Sequence, residues 1–322
     1  MRKLTKAMIA TLMALSVIGC GKSETPTGSH TGVPTETPET VEEKKEEVKE
    51  KMTAEALFEN LKKSTQDVKD QTYRIYMDID MNLTYGEDSV SIVSSAYGEA
   101  QTDGRNSYSK EETTSSSGDV TEKETTEIYF IDDAGVYTSY ENDGEGWVKY
   151  SELAPISYSL DFQKMVQANY KDATVEEEDG LYVVRTTIPF MTATEVLPGD
   201  TRETIVGENI YANAGDIPAV YQFDMATNEL VSVKFDFTTE VDKALNSADY
   251  SDVESPAESD NAATLAVHVD TLTVTLSNFE FMPVTITLPE EAKDAPEGTR
   301  SDDWSWQRDS DAEPIEENVE PN

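Results

Sequence analysis

Between Thr72 and Tyr85 the chain alternates with a period of two. Tyr73, Ile75, Met77, Ile79, Met81, Leu83 and Tyr85 are apolar, and the positions between them are Arg74, Asp78, Asp80, Asn82 and Thr84, with Tyr76 the one exception. Strand side chains point alternately to opposite faces, so this stretch predicts one long strand with an apolar side and a wet side. At roughly 3.3 Å per residue it reaches about 40 Å, whereas strands commonly run about 5–6 residues. Such a strand predicts a broad, strongly curved antiparallel sheet, an incomplete β-barrel in an α+β domain, with its concave face sheltering something.

Helical spacing precedes it. After Thr53, an N-cap residue, Leu57, Phe58, Leu61 and Val68 fall on one face and Glu55, Glu59, Lys62 and Lys69 elsewhere, which predicts an amphipathic helix to about Lys69. Beyond the long strand, the alternation predicts strands over 89–100 and 107–113, a loop over 115–119, and a hairpin of 125–131 with 136–140 about Asp132-Asp133-Ala134-Gly135. The segment Trp147 to Tyr150 follows, then a short helix carrying Leu160, Phe162, Met165, Val166 and Tyr170 against the concave face, then a hairpin of 173–177 with 181–188. Residues 191–216 read as a loop or short helix. Strands resume over 220–225 and 230–238, where Val231, Val233, Phe235 and Phe237 share a face. An acidic loop over 245–262, a strand over 264–276 and a last strand near 285–288 complete the sheet. No internal repeat is present.

The N-terminus changes the picture. Met1 to Lys6 is basic, Ala7 to Ile18 is an apolar run too short to span a bilayer, and it ends in Val17-Ile18-Gly19-Cys20. This resembles a bacterial lipobox, with Val17 in place of the preferred leucine. The resemblance implies that residues 1–19 are a lipoprotein signal peptide and that Cys20 becomes the lipid-bearing N-terminus on the outer face of the cell membrane. Cys20 is the single cysteine of the 322 residues, so no intrachain disulfide can form. Residues 20–52 predict a disordered tether: a Pro-, Thr- and Ser-rich half, then the charged VEEKKEEVKEK. About 30 such residues reach roughly 30 Å. The folded domain is expected over 53–295 and an acidic disordered tail, with Trp304-Ser305-Trp306, over 296–322.

Charge narrows the partners. The formal net charge is −40, which argues against nucleic acid, whose phosphates need clustered Lys and Arg, and against electrostatic attraction to anionic lipids. The membrane partner is therefore reached through the lipid anchor, and no protein partner is specified by the sequence. Catalytic chemistry has little to work with. The two histidines are His30, in the tether, and His268, between Val267 and Val269 in a predicted strand, where an ordinary sheet residue is the simpler reading. A structural zinc site needs about four Cys or His ligands. Asp78 and Asp80 share a strand face, as solvated acids do, and Asn142-Asp143-Gly144-Glu145-Gly146 lacks the calcium-loop spacing. No phosphate-binding glycine loop is present. These observations predict a protein that is not an enzyme and needs no cofactor or metal.

The order of elements, with the segments VKDQTYRIYMDIDMNL, GEGWVKYS, EEEDGLYVVRTTI, FDMATNELVSVKFDF and ITLPEEAKDA, resembles the LolA/LppX/LprG-like lipoprotein superfamily over about residues 53–295. The resemblance implies a curved, incomplete barrel whose apolar concave face holds acyl chains or a lipoprotein's lipid. On that reading Tyr73, Ile75, Met77, Ile79, Met81, Leu83, Val233, Phe235 and Phe237 line a site for a hydrophobic or lipid-like ligand, and the flexible thioethers of Met77 and Met81 suit exchangeable apolar guests. The alternative is an anchored, non-enzymatic surface module with a filled core, whose acidic loops and tail contact a basic partner.

Overall fold

The computed structural model describes residues 52–85, 88–118, 120–153, 158–198, 201, 205, 214–247 and 265–298. Eleven strands form one antiparallel sheet in the order β6-β5-β4-β3-β2-β1-β11-β10-β9-β8-β7. Its centre is the pair of β1 (Gln71–Tyr85), which holds the predicted long strand, and β11 (Leu265–Glu280). On one side the chain meanders through β2 (Asp88–Thr102), β3 (Ser107–Ser117), β4 (Val120–Asp133), β5 (Val136–Asn142) and β6 (Trp147–Leu153). On the other side it meanders through β7 (Thr174–Glu178), β8 (Leu181–Pro189), β9 (Asp216–Asp224) and β10 (Leu230–Asp236).

The expected strong curl is not there. The sheet is open, β6 and β7 are its two ends, and they do not pair with each other. The domain is mostly β with a few short helices. A sheet must roll up only if nothing else covers its apolar face, and here a second layer does so. That layer consists of α1 (Ala54–Ser64), α2 (Phe162–Met165), α3 (Phe190–Val196) and the segment before α2. Gln71 pins this segment to β1: its side chain donates to the Leu160 carbonyl at 3.2 Å and accepts the Leu160 N–H at 2.8 Å.

Each helix is set by local chemistry. Thr53 caps α1 by accepting the Ala56 N–H at 3.2 Å. The helix stops at Ser64, short of the predicted Lys69, because Thr65 closes it: its N–H and its hydroxyl both bond the Leu61 carbonyl. Val68 therefore lies outside the helix. Phe58 meets Tyr221 edge-on at 4.8 Å between ring centroids and Phe223 at 5.9 Å, which places the helix over β9. Asp161 caps α2 through the Gln163 and Lys164 N–H groups.

Other boundaries move for identifiable reasons. The predicted loop at 115–119 is strand as far as Ser117, because the β3–β4 pairing runs on to Ser117 and Val120. A register shift between Leu230 and Ser232 leaves Val231 38% exposed, so it does not share the buried face of Val233 and Phe235. The predicted strand through Thr238 ends at Asp236, and α4 (Thr238–Ser247) follows, where the sequence suggested strand and then acidic loop. Residues 285–288 form no strand. Lying between Pro283 and Pro289, they run unpaired into α5 (Glu290–Lys293).

Two of the open strand edges are covered by the protein itself. β10 is shorter than β11, and α4 takes its place beside the free part of β11. There the Val269 N–H donates to the Asp242 carboxylate, the Leu272 N–H donates to Thr238 Oγ1, each at 2.9 Å, and the Phe237 N–H donates to the Leu272 carbonyl. At β6, the residues after α5 make a parallel bridge at Lys149. The Lys149 N–H donates to the Pro296 carbonyl and its carbonyl accepts the Gly298 N–H at 2.8 Å. Glu297 behaves like a further strand residue, one carboxylate oxygen accepting the Ser151 N–H at 3.1 Å. Pairing with the sheet thus continues through residues 296–298.

Candidate functional site

The predicted ligand-binding residues do come together on one face of the sheet. Tyr73, Ile75, Met77, Ile79 and Met81 lie on β1, Val233 and Phe235 on β10, and Phe237 just beyond it, all in one hydrophobic cluster with Leu83 partly buried at its margin. Strand register puts them in rows: Val184, Tyr221, Val233, Leu276 and Ile75 lie side by side from β8 to β1. The protein's own groups occupy the space above them. None of the eight fully clustered residues exceeds 5% exposure, and Val233, Phe235 and Phe237 have none. Phe237 packs edge-on against Phe190 of α3 at 5.4 Å, and Phe235 against Tyr221 at 6.3 Å. The Tyr221 hydroxyl donates to the Met165 carbonyl of α2 at 3.0 Å, and burial pushes its pKa up. Tyr73 likewise donates to the Tyr158 carbonyl at 2.7 Å.

The same face changes character from β2 outward. Ser94, Ala96, Gly98 and Ala100 on β2, and Ser107, Ser109, Glu111 and Thr113 on β3, continue the rows with small or polar side chains. Here there is a hollow of about 10 Å³, lined among others by Tyr73, Gly98, Ser109, Glu111, Tyr158 and Thr201. That volume suits about one water molecule, far less than an acyl chain requires. Buried Ser109 Oγ has no hydrogen-bond partner among the described residues. Sequence reasoning missed this polar pocket. β3 is polar at nearly every position, so alternation gave no sign of which face turns inward.

The outer face is a grid of charges and rings. One row reads Arg74, Glu99, Lys110, Glu127 across β1 to β4, with signs alternating. Arg74 Nε donates to Glu99 at 2.8 Å, and Lys110 meets Glu127 at 3.2 Å. The Tyr76–Tyr97 pair flanks the row on one side and the Tyr108–Tyr129–Trp147 cluster on the other. The Tyr97 hydroxyl donates to Glu99 at 2.6 Å. Burial first, and then this carboxylate, push the Tyr97 pKa up to about 12, while the same hydrogen bond, with help from Arg74, holds Glu99 below the usual carboxylate range. Asp78 and Asp80 lie on this face as well, opposite Thr273 and Thr271 of β11.

His268 sits between two acids. Its Nδ1 is 2.9 Å from Asp242, and its Nε2 is 3.3 Å from Asp270, which also accepts a hydrogen bond from Asn82 at 2.6 Å. The Asp242 carboxylate raises the His268 pKa. That carboxylate is the one capping Val269 at the β11 edge, so the imidazole buttresses an edge cap. The oxygen-rich turn after β5 also spends its acceptors on itself: Asn142 Oδ1 accepts from the Gly144 and Gly146 N–H groups, and Asp143 Oδ1 from that of Glu145. No group of three or more metal-ligating side chains suited to an ion occurs among the described residues. Cys20, His30 and the Trp304-Ser305-Trp306 feature lie outside the described residues.

Comparison with known proteins adds little. No family model matches the chain, and no curated protein does. Among solved structures it resembles, distantly, a DUF1329 family protein from Desulfovibrio piger, 11% identical, covering 70% of this chain and 92% of that one, with a TM-score of 0.20. A likeness that low carries no argument about function. These comparisons give the LolA-like resemblance no support.

Proposed function

We propose that this protein is a lipid-anchored, extracytoplasmic interaction module, held at the membrane through Cys20 and contacting a basic partner through its acidic exterior. The observation that carries the reading is the filled apolar face: the strand residues that would line a lipid site are packed against α1, α2 and α3. A carrier with this core would have to lift a helical layer off its sheet before admitting a chain, at a cost of several buried aromatic side chains of about 1.5–3 kcal/mol each. The charge of −40 supplies long-range attraction to a cationic partner and repulsion from bare anionic lipid. No catalytic role enters this reading.

The test pairs two measurements on protein isolated from its host. Native mass spectrometry after delipidation of the anchor is expected to show the chain without a second lipid. Pull-down is expected to return a protein partner at low salt and lose it at high salt. Stoichiometric bound lipid that survives purification would instead return the curved-carrier reading implied by the LolA-like resemblance. Cys20→Ala is expected to move the protein from the membrane to the soluble fraction.

A further inference from the structure

β4 is twice as long as the strand beside it. Its residues Glu127–Asp133 pair with β5, but Val120–Thr126 pair with β3 alone. Among the described residues nothing else bonds the backbone of this half, so it is a free sheet edge of about 24 Å at 3.4 Å per residue. It is exposed on both faces as far as Thr125, and Val120 is 58% exposed.

The turns fix which groups face outward. β4 and β5 join through the two residues Ala134 and Gly135, both with positive φ (53° and 92°), so Asp133 and Val136 form the closing hydrogen-bonded pair. Backbone groups alternate sides along a strand, so Glu127 and the odd positions after it point to β5. Thr121, Lys123 and Thr125 therefore aim their N–H and C=O groups at the open side, and the even positions aim theirs at β3. The two-residue turn between Ser117 and Val120 gives the same parity.

Two other edges are treated differently. At β11 and β6 the chain caps its own outward N–H groups, down to using Asp242 and Glu297 carboxylates as acceptors. At β4 no described residue caps them. The side chains bias what can pair there. Glu122 and Glu124 share the inner face, so a second copy aligned about Lys123 would set Lys123 against Lys123 and Glu122 against Glu124. A strand with Lys or Arg at alternate positions meets both glutamates in the close, non-hydrogen-bonded pairs.

We infer that the Val120–Thr126 edge of β4 is a docking edge that takes an extended basic peptide as a twelfth strand. This rests on the interaction-module reading and gives the module its point of contact. Main-chain hydrogen bonds from the three odd residues supply affinity, and the two glutamates supply the charge preference.

The probe is the blocked peptide Thr-Lys-Thr-Lys-Thr-Lys-Thr, titrated calorimetrically into the full chain at low salt. Its threonines fall opposite Thr121, Lys123 and Thr125 and carry the pairing N–H groups, so the peptide Pro-Lys-Pro-Lys-Pro-Lys-Pro keeps the charge and removes those donors. We expect the proline peptide to bind at least about tenfold more weakly. Lys123→Pro, which deletes an N–H facing solvent, is expected to keep the wild-type melting temperature and weaken the threonine peptide about three- to tenfold relative to Lys123→Thr. Glu122→Gln with Glu124→Gln should weaken binding and flatten its salt dependence, and serves if the proline variant does not fold. If both peptides bind alike, and binding survives Lys123→Pro but not salt, the edge is refuted while an acidic contact surface stands. If neither peptide binds, the edge is refuted, and the module reading rests on the pull-down.

Discussion

Single side chains carry unequal weight here, and burial sorts them. Phe235 is fully buried and touches Tyr221 and Phe237 edge-on, so Phe235→Ala leaves a cavity in the centre of the helix–sheet interface. Urea unfolding should show a loss of about 3–5 kcal/mol. Val231, four residues away and turned out by the bulge, should tolerate alanine within about 0.5 kcal/mol. Equal losses at the two sites would mean the register is misassigned. His268 makes a prediction in pH. Its pKa is raised in the folded state by Asp242, so its contribution to stability is complete below the ordinary imidazole value of about 6.5 and fades as pH rises through the raised value. Asp242 has the opposite sign. Burial raises its pKa, but the Val269 N–H and His268 outweigh this, so its contribution holds above about 3.9 and is lost as pH falls through its lowered value. The melting-temperature gap between wild type and His268→Gln should therefore be larger at pH 5.5 than at pH 9. A gap independent of pH would remove the ion pair from the account.

At the scale of elements, the question is how open strand edges are managed. The segment after α5 covers β6 only because Gly298 has no side chain: a Cβ there would lie 2.5 Å from Tyr150 and 2.6 Å from Val148. Gly298→Ala should lift this segment away. Hydrogen exchange at the Lys149 and Ser151 amides should then accelerate towards that of an uncovered edge, with the amides of β1 unchanged. Unaltered protection at Lys149 would show that the bridge does not depend on the glycine. α4 does the same service for β11 with side chains, and there Asp242→Asn should speed exchange at Val269 most. Neither device was legible in advance. A helix lying beside a strand edge in place of a strand has no signature in hydrophobic periodicity.

For the whole molecule, the balance between sheet and covering layer decides how much room the apolar face has for a guest. Apolar residues concentrate on β1, β11, β10, β9 and β8, and the helices cover that half; on the same face of β3 the side chains are small or polar. Binding of a fluorescent fatty acid to the delipidated chain should accordingly be no stronger than to its Phe58→Ala variant, in which α1 loses its main ring contacts. Tighter binding to wild type than to that variant would favour a preformed site over a filled core.

The amino-acid order alone determined much of this protein. Strict alternation in 72–85 fixed the central strand and its inward residues, because a period of two allows one answer only. The hairpins at 132–135 and 179–180 followed from residue types that accept positive φ, as Gly135, Asp179 and Gly180 do. What it could not determine was what stands opposite each face. Whether Met77 and Phe235 meet a guest or a helix depends on where α1, α2 and α3 land, and α1 landed with Phe58 over β9. Curl, edge coverage and the bare half of β4 are likewise consequences of neighbours distant in sequence, and periodicity along a chain says nothing about them.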